Sequence, residues 1–98
     1  NLDKAKETID RAISLSPDVA EFLDTKGDVE TAAGNANAAI EAYSKALERS
    51  PERLQTRDKL IAIYEKENRT EDAQKQKELR IQVENRIKAI QEQMAKAQ

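Results

Sequence analysis

An internal repeat with a period of 34 residues is the feature of this sequence that most limits how the chain can fold. A second step of the same length places Ala39 over Ala73, so the period continues, although more weakly. A repeat of this length predicts stacked copies of one supersecondary unit, each packed against its neighbours. Shifting the sequence by one period aligns Asn1 with Asn35, Ala5 with Ala39, Glu7 with Glu41, Ala12 with Ala46, Ser16 with Ser50 and Pro17 with Pro51.

Charge spacing and turn residues indicate that each unit is helical. Acidic residues repeatedly stand four positions before basic ones, an arrangement that stabilises an exposed helix. Ser-Pro pairs and the turns Gly34-Asn35 and Asn68-Arg69 divide the helical stretches, because proline fits the first turn of a helix and Gly or Asn can end one. Connections this short make consecutive helices antiparallel. The predicted helices span residues 2–15, 18–33, 36–49, 52–67 and 70–96.

Composition excludes several classes of function. The 98 residues include no cysteine and no histidine, which removes disulfides, thiolate nucleophiles and the usual zinc ligands. A count of 17 basic against 19 acidic residues gives a net charge of -2, without the basic excess of a chain held to phosphates. No apolar run approaches the roughly 20 residues that span a bilayer. We therefore expect no enzyme activity, no cofactor, no metal, no nucleic-acid partner and no membrane insertion.

The spacing of small and apolar residues resembles the tetratricopeptide repeat. In that family a 34-residue helix-turn-helix unit carries the pattern W-x2-L-G-x2-Y, then A-x3-F, a further alanine and a closing proline. The resemblance implies an all-α fold in which antiparallel helix-turn-helix repeats stack as a short right-handed superhelical solenoid, followed here by a long C-terminal helix. The corresponding positions in this chain are Leu23, Lys26, Gly27, Glu30, Ala39, Tyr43, Ala46 and Pro51.

The repeat register divides a single tetratricopeptide-like domain, residues 1–98, into four parts. Residues 1–17 correspond to the second helix of a partial repeat, and residues 18–51 correspond to one full repeat. Residues 52–80 correspond to a degenerate repeat, because their second half lacks the expected aromatic and small residues. Residues 81–98 extend the final helix beyond the length that a repeat requires.

The resemblance also implies a protein-interaction module, since proteins of this family bind peptides or partner subunits in a groove lined by the first helix of each repeat. Such a lining is largely acidic here, which favours a basic or neutral partner segment. The alternative is that these acids form only a solvated helix face. Carried over residue by residue, the groove comprises Glu21, Asp24, Asp28, Thr31, Gln55, Asp58, Lys59, Ala62 and Glu65.

Lys26 and Glu30 depart from the family pattern, because they occupy positions where it has Leu and Tyr. They lie one turn apart on the same helix face, and burying two unpaired charges there would be strongly unfavourable. We expect the Lys26 stem to cover apolar surface while its ammonium group reaches water. The alternative is a polar seam that meets a partner chain or a missing repeat.

The last predicted helix carries one apolar stripe, which has two interpretations. In the first, its early part, with Leu79 and Ile81, caps the third hairpin, because a terminal repeat needs a polar outer surface. In the second, its later part meets a second helix, and the chain is a structural assembly element that homodimerises or joins a larger complex. The residues that would meet this second helix form a predicted seam, which comprises Val83, Ile87, Ile90 and Met94.

The first helix lacks the helix that would precede it in a full repeat, so part of Ile9, Ile13 and Leu15 is expected to be uncovered. The chain begins with Asn rather than Met, and we expect a fragment with further repeats upstream. Self-association through this stripe, or a swap of helices between chains, is the alternative. The first residues lack the pattern of a signal peptide, which slightly favours a cytoplasmic location, but a fragment leaves the compartment open.

Overall fold

The computed structural model describes residues 1–97, which form five α-helices joined by short turns. The predicted all-α fold is confirmed, and no strand occurs in this part of the chain. Each helix packs mainly against the next one in the sequence, as in a stack of helical hairpins. None of these five helices is long and apolar enough to cross a membrane. The helices are α1 (Leu2–Leu15), α2 (Ala20–Ala32), α3 (Ala36–Arg49), α4 (Leu54–Lys66) and α5 (Thr70–Lys96).

Two kinds of turn separate the helices, and each kind recurs after 34 residues. Gly34 after α2 and Asn68 after α4 have a left-handed backbone, with φ of 81° and 59°, which ends each helix as predicted. Pro17 and Pro51 do not enter the first helical turn. They lie in turns, and α2 and α4 each begin three residues later. The predicted starts of these two helices are therefore two residues too early.

Close contact between α2 and α3 depends on small residues. A methyl group on Gly27 would lie 2.2 Å from Cε1 of Tyr43, far inside van der Waals contact. On α3, Ala39 and Ala46 have no exposed surface at all. Larger side chains at these positions would push α3 away from the helices that pack against it, since protein interiors are closely packed. The spacing of small residues in the sequence thus reflects the distance between helices.

The central core lies between α3, α4 and the first turns of α5. Leu60 of α4 is almost completely excluded from water. At the N-terminal end, α1 and α2 contribute only Ile9 and Leu23 as buried apolar side chains, so the core becomes thin there. The main cluster comprises Ala39, Ile40, Tyr43, Leu47, Leu60, Ile63, Tyr64 and Ala73.

Lys26 and Glu30 form a polar seam inside the chain. The ammonium group of Lys26 donates a hydrogen bond to Asp10 of α1. Glu30 is buried, and its Oε1 lies 3.3 Å from Nζ of Lys6, an ion pair without hydrogen-bond geometry. The expectation that the Lys26 ammonium group reaches water holds in part, because the side chain keeps 28% exposure and its hydrogen bond to Asp10 lies at the surface. The alternative, a polar seam that meets a partner chain or a missing repeat, stays a prediction.

Candidate interaction surfaces

The nine predicted groove residues lie on α2 and α4 and are here called the α2–α4 face. Side chains three, four or seven positions apart share one side of a helix, which is why the repeat spacing could select them. Seven of the nine are exposed, Lys59 is half-buried and Asp24 is buried. The face comprises Glu21, Asp24, Asp28 and Thr31 on α2, and Gln55, Asp58, Lys59, Ala62 and Glu65 on α4.

Asp24 is not accessible to a partner, because it is buried between α2 and α4. Its Oδ1 accepts a hydrogen bond from Oγ1 of Thr56 at 2.7 Å, and its Oδ2 accepts one from Nζ of Lys59 at 3.0 Å. The guanidinium of Arg53 lies 3.8 Å from the same Oδ2. Two donors and a second cation stabilise this buried carboxylate. Asp24 therefore joins the two helices and does not line an open groove.

Asp28 connects three helices and still reaches solvent. Its Oδ1 accepts a hydrogen bond from the hydroxyl of Tyr43 on α3 at 2.5 Å. Nζ of Lys59 on α4 lies 3.1 Å from the same oxygen and 3.2 Å from Oδ2. About half of the Asp28 side chain is exposed, at 49%. The carboxylate can therefore contact a partner while it holds the three helices together.

The Tyr43 and Lys59 groups bind their protons more tightly here than in an unfolded chain. Burial, followed by the hydrogen bond to Asp28, raises the pKa of Tyr43 well above its usual range. Burial on its own would lower the pKa of Lys59, but hydrogen bonds to Asp24 and Asp28 and their negative charges raise it. At neutral pH the phenol of Tyr43 is therefore uncharged and the amine of Lys59 is an ammonium group.

Asp58 and Glu65 point toward α5 and are paired with bases there. Nε of Arg80 donates to Oδ1 of Asp58 at 2.6 Å, and Nη2 of Arg80 donates to Oδ2 of Asp58 at 3.2 Å. This bidentate pairing raises the pKa of Arg80. Nζ of Lys77 donates to Oε2 of Glu65 at 2.9 Å. The α2–α4 face is consequently less acidic than its own residues suggest, and residues 1–97 contain no acidic cluster of the kind that holds a metal ion.

Sequence reasoning missed two buried polar residues of α4, Thr56 and Arg57. Arg57 donates to Oε1 of Gln76 at 2.6 Å and to the carbonyl oxygen of Pro51 at 3.1 Å, and burial lowers its pKa. Helical spacing does not distinguish a buried polar residue from an exposed one. The repeat period is the one signal that could have indicated the burial of Thr56, because Thr56 lies 34 residues after the apolar Phe22. These two residues attach α4 to α2, to α5 and to the α3–α4 turn.

The predicted α5 seam is divided between the interior and the surface. Val83 is buried and Ile87 is half-buried, next to Pro51 in the α3–α4 turn. Ile90 and Met94 are 53% and 63% exposed. The four residues therefore do not form one exposed stripe: the first two pack inside the chain, and the last two remain free for contact.

The capping interpretation of α5 is correct for one of its two residues. Leu79 is half-buried, as expected for a side chain that covers the third hairpin. Ile81 is 57% exposed, so the expectation that it covers the hairpin is wrong. The reason is geometric, because residues two positions apart on a helix point in different directions.

An apolar groove of about 550 Å³ lies between α1 and α2, and it is here called the α1–α2 groove. Of the three α1 residues expected to be uncovered, Leu15 is 79% exposed, Ile13 is half-buried and Ile9 is buried. The uncovered surface is instead spread over both helices. The groove is lined by Lys4, Ala5, Thr8, Ile9, Ala12, Phe22, Thr25 and Val29.

A family model for the tetratricopeptide repeat matches residues 20–53, which include α2, α3 and the turn between them. Residues 20–53 thus match one tetratricopeptide repeat. The resemblance proposed from the spacing of Gly27, Ala39 and Ala46 is thereby confirmed. Tetratricopeptide repeats in general form protein-interaction scaffolds and are typically not enzymes.

Two solved structures share the fold of this chain, and both are of the protein MamA. One has a TM-score of 0.84 at 24% sequence identity, and the match covers 90% of this chain and 52% of that one. The other has a TM-score of 0.80 at 25% identity and covers 86% and 46%. The chain thus spans about half the length of these structures, and the similarity establishes the stacked-repeat fold. No curated protein sequence matches the chain significantly.

Proposed function

We propose that this tetratricopeptide chain is an interaction scaffold that binds a peptide or a partner segment along the α2–α4 face. The observation that carries the proposal is the position of Lys59, which fixes α4 beside α2 through Asp24 and Asp28. A face that is rigid before binding loses little conformational freedom when a partner docks. The exposed members that would contact the partner are Glu21, Asp28, Thr31, Gln55, Asp58, Ala62 and Glu65.

The charge of the face supports a partner with a few basic side chains. Asp28, Asp58 and Glu65 each keep about half of their side-chain surface exposed, at 49%, 51% and 53%, so each can accept a further hydrogen bond. Lysine and arginine side chains of α4 and α5 already neutralise part of this charge. The electrostatic attraction is therefore modest, and we expect binding to weaken as salt is added.

A short peptide with alternating lysine and alanine tests the proposal. The double variant Asp58→Asn and Glu65→Gln removes two exposed carboxylates from the face, and both ion pairs are exposed enough for the fold to tolerate their loss. We expect the dissociation constant, measured by fluorescence anisotropy, to rise about tenfold, which corresponds to about 1.4 kcal/mol.

The matched control is Glu41→Gln with Glu48→Gln, which removes the same charge from exposed positions on α3. The control should bind the peptide like the unmodified chain. Equal weakening in both variants would show that only net charge matters. Undiminished binding by the α2–α4 variant would remove this face from the proposal.

Assembly through the end of α5 is a second candidate function, favoured by the exposure of Ile90 and Met94. Apolar side chains at this spacing suit contact with a second helix, from an identical chain or from a larger complex. We expect dimers in sedimentation equilibrium, and Ile90→Lys with Met94→Lys should return them to monomers. The control, Asn85→Lys with Glu92→Gln, adds the same charge to the opposite side of α5 and should leave the dimer intact. A monomeric wild-type chain at tens of micromolar would contradict assembly through an identical chain.

A further inference from the structure

The α1–α2 groove has a counterpart inside the molecule, and that counterpart is filled by a helix. The residues that lie 34 positions after the groove-lining residues hold α2 in place. Tyr43 meets Gly27, while Thr56 and Lys59 bind Asp24. The groove is therefore the next helix site in the same stack, and it is continuous with the α1–α2 interface. Moving the eight lining residues forward by 34 positions gives Ala38, Ala39, Ala42, Tyr43, Ala46, Thr56, Lys59 and Ile63.

Alanines that correspond to one another in the 34-residue repeat are buried to different extents in the filled site and in the groove. Ala39 and Ala46 are completely covered, in a helix that has α2 as one neighbour and α4 as another. Their counterparts on α1, Ala5 and Ala12, line the groove and are only half-buried. A helix placed over α1 as α2 is placed over α3 would cover this remaining apolar surface.

The chemistry of the groove differs from that of its filled counterpart. Under α2, the hydrogen-bond donors for the carboxylates of Asp24 and Asp28 come from Tyr43, Thr56 and Lys59. The residues at these three positions in the groove are Ile9, Phe22 and Thr25. Two of them have no polar side-chain group, and the hydroxyl of the third already donates to the carbonyl oxygen of Glu21 at 3.0 Å. This part of the groove therefore suits apolar side chains and rejects carboxylates.

The one cation of the groove indicates the direction of its occupant. Lys4 lies at the start of α1, in the position that Ala38 has at the start of α3. Because α2 runs antiparallel to α3, the C-terminal end of α2 lies near the start of α3. A helix in the groove with the same direction would place its C-terminal end near Lys4, where a positive charge is favourable.

We propose that the α1–α2 groove binds an amphipathic α-helix of another polypeptide, antiparallel to α1. This helix carries a small residue over Ile9 and apolar residues where α2 has Asp24 and Asp28. Helix α2 of a second copy does not fit, because its carboxylates would be buried against Ile9 and Phe22 without donors. The groove is separate from the α2–α4 face, so this inference does not rest on the proposed function.

Two synthetic peptides test the predicted chemistry of the occupant. The first has the sequence of residues 18–33 with Asp24→Leu and Asp28→Leu, and the second is the same peptide without changes. Both are titrated into the full chain by calorimetry. We expect the leucine peptide to bind at least tenfold more tightly than the unmodified one.

Variants of α1 test the location. Thr8→Arg and Ala12→Arg each place a large cation in the groove, and the first is at an exposed position that folding should tolerate. Each should weaken binding of the leucine peptide at least tenfold in a chain whose helical circular dichroism is unchanged. Ser14→Arg adds the same side chain to α1 at an exposed position outside the groove lining and should have no effect.

Several outcomes would overturn the proposal. These are no binding of the leucine peptide, equal binding of the two peptides, or binding that persists in both Thr8→Arg and Ala12→Arg. Self-association of the chain that Thr8→Arg abolishes would show that a second copy fills the groove instead. The double variant Asp58→Asn with Glu65→Gln should still bind the leucine peptide. Binding in the groove can therefore be judged independently of binding at the α2–α4 face.

Discussion

At Gly27 the intrinsic preference of a helix and the packing between helices act in opposite directions. Replacing glycine by alanine in an exposed helix stabilises it by roughly 1 kcal/mol. Here the added methyl group would meet the ring of Tyr43 at 2.2 Å. Because overpacking typically costs about 1–3 kcal/mol, the net effect of Gly27→Ala should be to lower the free energy of unfolding by up to about 2 kcal/mol. Urea denaturation followed by circular dichroism measures the change.

A smaller side chain opposite the glycine provides the control. Tyr43→Ile introduces the residue that occupies this position one repeat earlier, at Ile9. In that background the methyl group has room, so Gly27→Ala should cost less than it does in the unmodified chain. An equal cost in both backgrounds would show that the ring is not the cause, since contacting residues should not be additive.

The Tyr43 and Lys59 network predicts loss of stability in alkaline solution. Both pKa values are raised in the folded chain, so the fold holds both protons more tightly than the unfolded chain does. Their contribution is complete below the unfolded pKa values, about 10 for both groups. It is lost as the pH rises above that range, because the unfolded chain then releases protons first. We expect the melting temperature to fall above about pH 10.

Removing the hydroxyl of Tyr43 isolates its contribution to the loss of stability at alkaline pH. In Tyr43→Phe the melting temperature should fall less steeply with pH than in the unmodified chain, and the remaining slope includes the contribution of Lys59. Thermal melts in a series of buffers from neutral to alkaline pH make the comparison. The same slope in both chains would contradict this account of Tyr43.

At the scale of helices, the sequence was sufficient for what is local and insufficient for what lies across an interface. Turn signals such as Gly34 and Asn68 act within a few residues, so all five helices could be placed. The partner of Lys26 could not, because it belongs to another helix. The sequence pattern of a lysine one turn from a glutamate is identical whether the lysine pairs along its own helix or with Asp10 of α1. For the same reason the burial of Asp24 and the pairing of Asp58 with Arg80 could not be predicted from the sequence.

Two positions on α5 should differ in their effect on stability. Val83 packs inside the chain, whereas Ile90 is exposed. We expect Val83→Ala to lower the free energy of unfolding by about 1–3 kcal/mol, because it removes buried methyl groups. Ile90→Ala should change it by less than about 0.5 kcal/mol. Urea denaturation at a low protein concentration, where any dimer dissociates, measures both. Similar costs at the two positions would mean that the end of α5 packs against more than the structure shows.

For the whole molecule, the order of the helices in the stack determines which parts are most stable. The described chain measures 49 × 34 × 18 Å along its principal axes, so it is a thin layer rather than a sphere. Helices α3 and α4 have neighbours on both sides. In contrast, α1 packs mainly against α2, and the final turns of α5 have largely exposed side chains. In a stack of this kind stability is supplied by contacts between adjacent units.

Native-state hydrogen exchange should therefore show a gradient along the chain. Amides of α3 and α4 should exchange most slowly, near the rate set by global unfolding, while those of α1 and of residues 86–96 should exchange faster through local opening. The leucine peptide of the α1–α2 groove adds an internal control. If it supplies the missing neighbour of α1, its addition should slow exchange in α1 and leave residues 86–96 unchanged. Uniform protection in the free chain would instead mean that all five helices unfold as one unit. In that case the thin N-terminal core would be as stable as the centre, despite having fewer buried side chains.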